Sequence, residues 1–212
     1  VRWTLVIPLK PLALAKSRLA DTAADSLRPG VALAFAEDTV AAALASPAVR
    51  DVAVVTDDAL AGRTLAALGA RIVPDEPGAG LNAALAHGAA AVRAFRPDAP
   101  LAALNADLPS LRAPELARVL DAAAEFPRAF LPDAAAIGTT LLAVAPGRAL
   151  HPAFGPDSRA RHRASGAVEL RLDAVDSVRQ DVDTGEDLRA ALALGVGPRT
   201  AAATARLLIP GQ

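Results

Sequence analysis

The chain reads as an α/β protein with a mostly parallel sheet covered by helices on both faces. Three observations predict this. Short apolar runs rich in β-branched residues alternate with longer Ala/Leu/Val stretches of helical period, the pattern of repeated strand–helix–strand units. The 212 residues fit one domain and are enough to bury a large core. The chain is 53% apolar but only 3% aromatic, so small aliphatic side chains must fill the core through close helix–sheet contact.

In chain order, residues 4–9 are the first strand. Residues 28–46 carry long helical periodicity, with Pro29 at a first-turn position that tolerates proline. Asp51-Val52-Ala53-Val54-Val55-Thr56 is a compact β-branched strand. Residues 58–68 read as a helix closed by Gly69, a good left-handed C-terminal residue. Residues 70–73 are a third short strand, ended by Pro74. A helix over 80–95 leads to a strand that starts at Leu101, and 113–125 is the next helix, with Pro114 in its first turn. Residues 128–131, 139–144 and 168–172 are further strands, and 185–194 is a further helix. Between them, 146–167 mixes prolines, histidines and arginines and has no clear strand or helix pattern, and long loops in compact domains are often functional. The whole chain, 1–212, is expected to be one domain, with 198–212 a C-terminal extension. Its apolar Leu207-Leu208-Ile209 end would pack on the domain, cover a sheet edge or frame an oligomer contact.

Composition removes several classes of function. No cysteine is present, which excludes disulfides, thiolate metal sites and a cysteine nucleophile. With 22 basic and 23 acidic residues, the net charge of −1 offers no general grip on nucleic acid or membrane, so any phosphate is held locally. No apolar stretch is long and pure enough to span a bilayer, and the N-terminus lacks the pattern of a signal peptide. A soluble cytoplasmic protein is the expectation.

Asp107 is the most informative residue. In Leu101-Ala102-Ala103-Leu104-Asn105-Ala106-Asp107-Leu108-Pro109, an apolar strand is stopped by an acid and a proline. That puts a carboxylate at the C-terminal end of a strand, where ligands bind in open α/β sheets. A second acidic cluster, Asp181-Val182-Asp183-Thr184, precedes a helix. Brought together, Asp107 and Asp183 could hold Mg²⁺ against phosphate oxygens, which suits an enzyme acting on a nucleotide. The structural alternative is N-capping by Asp107 or Asp183, and Asp183-Thr184-Gly185-Glu186 resembles a capping box. Asp181 stays open as a substitute ligand.

Three other segments carry candidate chemistry. After the first strand, Lys10, Lys16 and Arg18 can neutralise triphosphate charge, with Ser17 adding a hydroxyl, although the glycines of a Walker loop or Rossmann turn are missing. Val73-Pro74-Asp75-Glu76-Pro77-Gly78-Ala79-Gly80-Leu81-Asn82 is a rigid turn into a helix start that can accept an anion or a base edge, with Asp75 or Asn82 able to read a purine; taken alone, the segment favours a plain turn with a helix cap. Gly138-Thr139-Thr140 and Phe154-Gly155-Pro156-Asp157-Ser158 could converge on a small carboxylate or phosphate, with Gly155 permitting close backbone approach. Ser158 could instead cap a short helix. His87, His151 and His162 lack metal-ligand spacing; His162, among Arg159, Arg161 and Arg163, could help hold an anion.

Taken in order, these segments resemble a known family. The marks are Pro8-Leu9-Lys10 with Ala15-Lys16-Ser17-Arg18-Leu19, Val73-Pro74-Asp75 with Gly80-Leu81-Asn82, and Ala106-Asp107-Leu108-Pro109. Gly138-Thr139-Thr140, the Phe154-Gly155, Ser158 and His162 set, and Asp181-Val182-Asp183-Thr184 with Glu186-Asp187-Leu188 complete them. The pattern is similar to the phosphoenolpyruvate/2-phospho-L-lactate guanylyltransferases of deazaflavin-coenzyme biosynthesis. It covers residues 4–194, and its acidic motifs are shared with the wider glycosyltransferase-A-like nucleotidyltransferases. The resemblance implies that fold in a single domain, and GTP joined to phosphoenolpyruvate with release of pyrophosphate. The product would pass to a downstream transferase. It also implies Thr140, Gly155 and Ser158 on the phospho-acid, Asp107 and Asp183 on Mg²⁺, and Lys16, Arg18 and Gly80 on the nucleotide, to which the residue reading adds Lys10, Asp75 and Asn82. Lys16, Arg18 and Asp107 would carry catalysis. Relatives often have asparagine where this chain has Thr140, which still offers a hydroxyl. The alternatives are 2-phospho-L-lactate or 3-phospho-D-glycerate as acceptor, another nucleotidyltransferase, and a non-catalytic nucleotide-binding domain.

Overall fold

The computed structural model describes residues 1–14 and 28–205. Seven strands form one sheet: β1 (Trp3–Pro8), β2 (Val49–Val55), β3 (Arg71–Val73), β4 (Leu101–Leu104), β5 (Arg128–Pro132), β6 (Thr139–Val144) and β7 (Val168–Glu169). Their spatial order is β3-β2-β1-β4-β6-β5-β7, and β6 runs against β4 and β5 while the other pairings are parallel. The expected mostly parallel α/β sheet is therefore correct, and β6 is what makes it mixed. The predicted strand 168–172 is cut to Val168–Glu169 at the sheet edge.

Helices α1 (Arg28–Ala45), α2 (Ala59–Ala67), α3 (Leu81–Phe95) and α4 (Ala113–Ala123) fall where periodicity put them, within a few residues at each end. Four more follow: α5 (Ser158–Ala164), α6 (Asp176–Arg179), α7 (Gly185–Leu194) and α8 (Pro198–Ala205). No helix among the described residues is long and apolar enough to cross a membrane.

The alternation of strand side chains sorts the core into two layers. Leu5, Ile7, Val52, Val54, Ala102 and Leu104 pack under α1, α2 and α4. Val6, Ala53, Val55, Leu101, Ala103, Leu142 and Val144 pack under α3. Close approach replaces bulk on that second face. A Cβ at Gly88 of α3 would lie 2.5 Å from Val55 Cγ2 and 2.7 Å from Val6 Cγ1, so only glycine lets the helix come this near.

Residues 198–205 hold the last helix, α8. The buried Asp38 carboxylate of α1 accepts the backbone N–H groups of Arg199 (3.3 Å) and Thr200 (2.7 Å), and Arg199 Nε donates to Glu37 at 3.0 Å. So α8 packs on α1; Leu207-Leu208-Ile209 lies outside the described residues.

Candidate active site

The strand order reverses at β1, between the β2 side and the β4 side, and ligands in open α/β sheets bind outside the carboxyl ends at such a point. The loop after β1 starts there. Leu9 N–H donates to Val55 O at 2.9 Å, Lys10 stands exposed, and a short 3₁₀ turn covers Leu12–Leu14. Asp58 pins that turn: its Oδ2 accepts Leu12 N–H at 2.9 Å while its Oδ1 caps α2 through Leu60 and Ala61 N–H at 3.0 Å. These bonds, led by Ala61 and Leu12, lower the Asp58 pKa below the usual carboxylate value. Lys16 and Arg18 lie outside the described residues.

Beside it, the end of β4 carries Asp107. Thr39 of α1, which the sequence reading passed over, holds the backbone on both sides of it. Its fully buried hydroxyl accepts Leu108 N–H at 3.0 Å and lies 2.7 Å from Phe35 O and 3.2 Å from Ala106 O. The second acidic motif docks directly on the first, because Val182 N–H donates to Asp107 O at 3.1 Å. Asp183 is exposed at this junction, and the half-buried Asp181 is reached by a long 3.4 Å contact from Asn105 Nδ2.

The capping alternatives are resolved. Arg112, and not Asp107, is the N-cap of α4. Thr184, not Asp183, caps α7, and its capping-box partner is Asp187 rather than Glu186. Asp187 Oδ2 accepts both Thr184 N–H (2.8 Å) and Asp183 N–H (3.2 Å), which orients the turn carrying Asp183. Among the described residues no set of three or more acidic or histidine side chains forms a metal cage. The two acidic motifs meet here through the backbone, and carboxylate oxygens are hard donors of the kind a divalent ion takes.

Asn105 N–H donates to Thr140 O at 3.0 Å, linking the acidic end of β4 to β6. Leu131 pairs with Leu141 but Pro132 pairs with Thr139, so Thr140 is the extra residue of a bulge. Its hydroxyl is buried and has no hydrogen-bond partner among the described residues. The preceding turn is set by Asp133, whose two oxygens each accept one N–H at 2.9 Å, from Ile137 and Gly138.

Gly155 sits in the loop before α5 at φ 111°, a backbone conformation that favours glycine, and a Cβ there would lie 3.2 Å from Arg161 Nη2. Arg161 is a cation beside Gly155 that the motif reading did not assign. Ser158 is buried and opens α5; it does not cap it, since Asp157 holds the N-cap position. His162 is not an anion ligand among arginines. It is 0% exposed, against Phe130 and Phe154, while Arg159 makes a two-point ion pair with Glu169 (2.8 and 3.1 Å) and Arg163 pairs with the same carboxylate.

The turn before α3 contributes Gly80, a positive-φ N-cap with open space around it. Asp75 accepts Gly78 N–H at 3.4 Å within the turn. Asn82 is engaged with protein: its Oδ1 accepts Phe154 N–H at 2.8 Å and its Nδ2 donates to Phe154 O at 3.0 Å. It ties the α3 start to the Gly155 loop. A cavity of about 360 Å³, lined by Arg2, Thr4, Arg50 and Arg96, lies at the opposite, N-terminal ends of β1 and β4, away from all of these groups.

Comparison with known proteins gives the family and the fold. Residues 3–207 match the family described as "Guanylyl transferase CofC like". The chain is 81% identical over 212 residues to the phosphoenolpyruvate guanylyltransferase of Streptomyces coelicolor, covering 100% of both chains. It is 62% identical over 205 residues to that of Thermomonospora curvata, covering 97% of this chain and 90% of the other. Solved structures share the fold at low identity. A Methanothermobacter nucleotidyl transferase has a TM-score of 0.63 at 22% identity, covering 91% of this chain and 97% of the other. A Mycobacterium tuberculosis protein solved in complex with manganese has a TM-score of 0.54 at 21% identity, covering 91% and 99%. The chain belongs to the CofC-like guanylyl transferase family and has the single-domain nucleotidyltransferase fold of these neighbours.

Proposed function

We propose that the protein transfers GMP from GTP to phosphoenolpyruvate, giving enolpyruvyl-diphospho-guanosine and pyrophosphate in deazaflavin-coenzyme biosynthesis. The observation that carries this reading is the Val182–Asp107 backbone bond, which brings the two acidic motifs together at the end of β4 beside Thr140. The Streptomyces and Thermomonospora relatives, both phosphoenolpyruvate guanylyltransferases, supply the choice of acceptor.

Asp107 and Asp183 would hold Mg²⁺, and the manganese bound by a fold neighbour supports a divalent ion of this kind. When bound, the ion supplies charge neutralisation at the reacting phosphates. Thr140, Gly155 and Ser158 orient the phospho-acid, with Arg161 adding a positive charge beside Gly155. Lys10, Lys16 and Arg18 offset the charge of the triphosphate and of the departing pyrophosphate. Gly80 and Asp75 face the nucleotide, and Asn82 acts on that side by fixing the turn.

A phosphate oxygen of phosphoenolpyruvate attacks the α-phosphorus of GTP in line. The new P–O bond forms as the bond to the β-phosphate bridge breaks. The attacking phosphate is already anionic near neutral pH, so no side chain has to remove a proton. Catalysis then rests on positioning and charge neutralisation, which accords with the burial of His162. The product is an activated diphosphate for a downstream transferase, and the substrates suit a cytoplasmic location.

The test is pyrophosphate release with GTP, Mg²⁺ and, separately, phosphoenolpyruvate, 2-phospho-L-lactate and 3-phospho-D-glycerate, with an enzyme that consumes the product. Release with phosphoenolpyruvate is expected. Preference for another acid would move the acceptor, and GTP binding without turnover would favour a non-catalytic domain. Asp107→Asn should lower turnover by about 10² or more in a protein that stays folded.

A further inference from the structure

Two separate pieces of chain carry the residues assigned to the phospho-acid: the bulged start of β6 with Thr140, and the loop leading into α5 with Gly155. One side chain joins them. His162 Nε2 accepts Ala153 N–H at 3.0 Å, and its Nδ1 lies 2.9 Å from Thr139 Oγ1. An N–H donor at Nε2 needs a lone pair there. The ring is therefore neutral, and its proton sits on Nδ1 and is donated to the threonine oxygen. An imidazolium would set its own Nε2–H against the Ala153 N–H. Ring contacts with Phe130 (5.7 Å) and Phe154 (5.1 Å) fix the imidazole plane.

The contacts fall next to the residues of interest. Thr139 immediately precedes Thr140, and Ala153 lies two residues before Gly155. The loop has outer supports as well. Asn82 brackets Phe154, Arg161 Nη2 donates to Phe154 O at 3.0 Å, and Arg128 donates to Leu150 O at 3.2 Å and His151 O at 2.7 Å. Of these side chains, His162 is the one whose bonds run from the loop to β6.

We propose that His162 is a positioning residue: it sets the spacing between Thr140 on β6 and Gly155–Ser158, and so the fit of the phospho-acid. This rests on the assignment of that pocket to the phospho-acid. The groups around the ring keep it in the required state. Burial foremost, then the Arg128 and Arg161 charges, pulls its pKa down to about 4, and Glu169, the strand partner of Phe130, is paired with Arg159 and Arg163.

Steady-state kinetics of His162→Phe and His162→Gln, beside Ser158→Ala, test the role. His162→Phe should raise the phosphoenolpyruvate KM about tenfold or more, while the GTP KM and kcat stay within about twofold. His162→Gln, which keeps an amide donor and acceptor, should recover part of the loss. Suppose Ser158→Ala raises the phosphoenolpyruvate KM and a folded His162→Phe does not. The positioning role is then overturned and the pocket assignment stands. If Ser158→Ala leaves that KM unchanged, the pocket assignment falls and takes the proposal with it. ¹⁵N-histidine spectra of the unaltered protein are independent of how the variants fold. The Nδ1–H neutral tautomer is expected between about pH 5 and 8, and an Nε2–H or cationic ring at neutral pH would overturn the proposal.

Discussion

Thr39 has no chemistry of its own, yet it shapes the neighbourhood of the central carboxylate. Its hydroxyl binds backbone on either side of Asp107, at Leu108 N and Ala106 O. Thr39→Val keeps the shape but strands the buried Leu108 N–H. We expect a loss of about 1–3 kcal/mol in urea unfolding, and a fall in kcat of about tenfold through misplacement of Asp107. A variant with unchanged kcat would show that the strut does not matter to turnover. The two acids of the second motif should separate in the same assay. Asp183, exposed at the junction, is read as the metal ligand, whereas Asp181 faces Asn105. Asp183→Asn should therefore depress turnover and metal dependence far more than Asp181→Asn, and the reverse ranking would exchange their roles. Asp107 was legible because a carboxylate ending an apolar strand is unusual. Thr39 was not, because one threonine in a long helix carries no local sign of what it meets in space.

Among the elements, α3 bears most directly on both sides of the site. Its start holds Gly80 and Asn82, and its underside lies on β1 and β2 through Gly88. Gly88→Ala adds a methyl group where two valine methyls already stand. Alanine's better helix propensity, worth about 1 kcal/mol, opposes the clash. Overpacking of about 1–3 kcal/mol should win, giving a net loss in thermal or urea unfolding and a shift of the α3 start. A stabilised variant would mean that the helix can lift freely. The loop after β1 shows a second use of an element end, since Asp58 caps α2 and holds Leu12 with the same carboxylate. Helix and strand periods made these elements readable from the chain. Cap assignments were less so: Thr184 and Asp187, rather than Asp183 and Glu186, close the α7 box, a one-residue difference that depends on backbone dihedrals.

For the molecule as a whole, one buried group and one part-buried group predict its acid response. Burial holds the His162 pKa down at about 4 from 6.5. The folded state thus binds fewer protons than the unfolded one in that interval, and stability is complete above about pH 6.5 and falls as pH drops toward 4. The shift corresponds to roughly 3 kcal/mol at most. Glu169 adds a second window. Arg159 foremost, with Arg163, holds it near 2 against the opposing effect of burial, so its contribution is present above about pH 4.5 and is lost toward 2. Urea midpoints measured from pH 7 down to 3 should show the loss begin below about 6.5, and His162→Phe should flatten the upper part alone. A flat profile across that range would mean that neither group is coupled to folding.

The alternation of strands and helices, the single-domain size, the acidic motif ending β4 and the order of the family motifs were all present in the chain itself. They rest on local properties: hydrophobic period, turn chemistry and residue type. Tertiary structure decided what depends on residues far apart in sequence. It decided that β6 runs antiparallel, that Asp107 O receives Val182 N–H, that Asn82 is engaged with Phe154, and that His162 is a buried neutral bridge and not an anion ligand. Each of these pairs groups between 9 and 75 positions apart, counted from the residue numbers. Which groups meet over such distances is set by how the layers pack, and no short window of sequence contains that information.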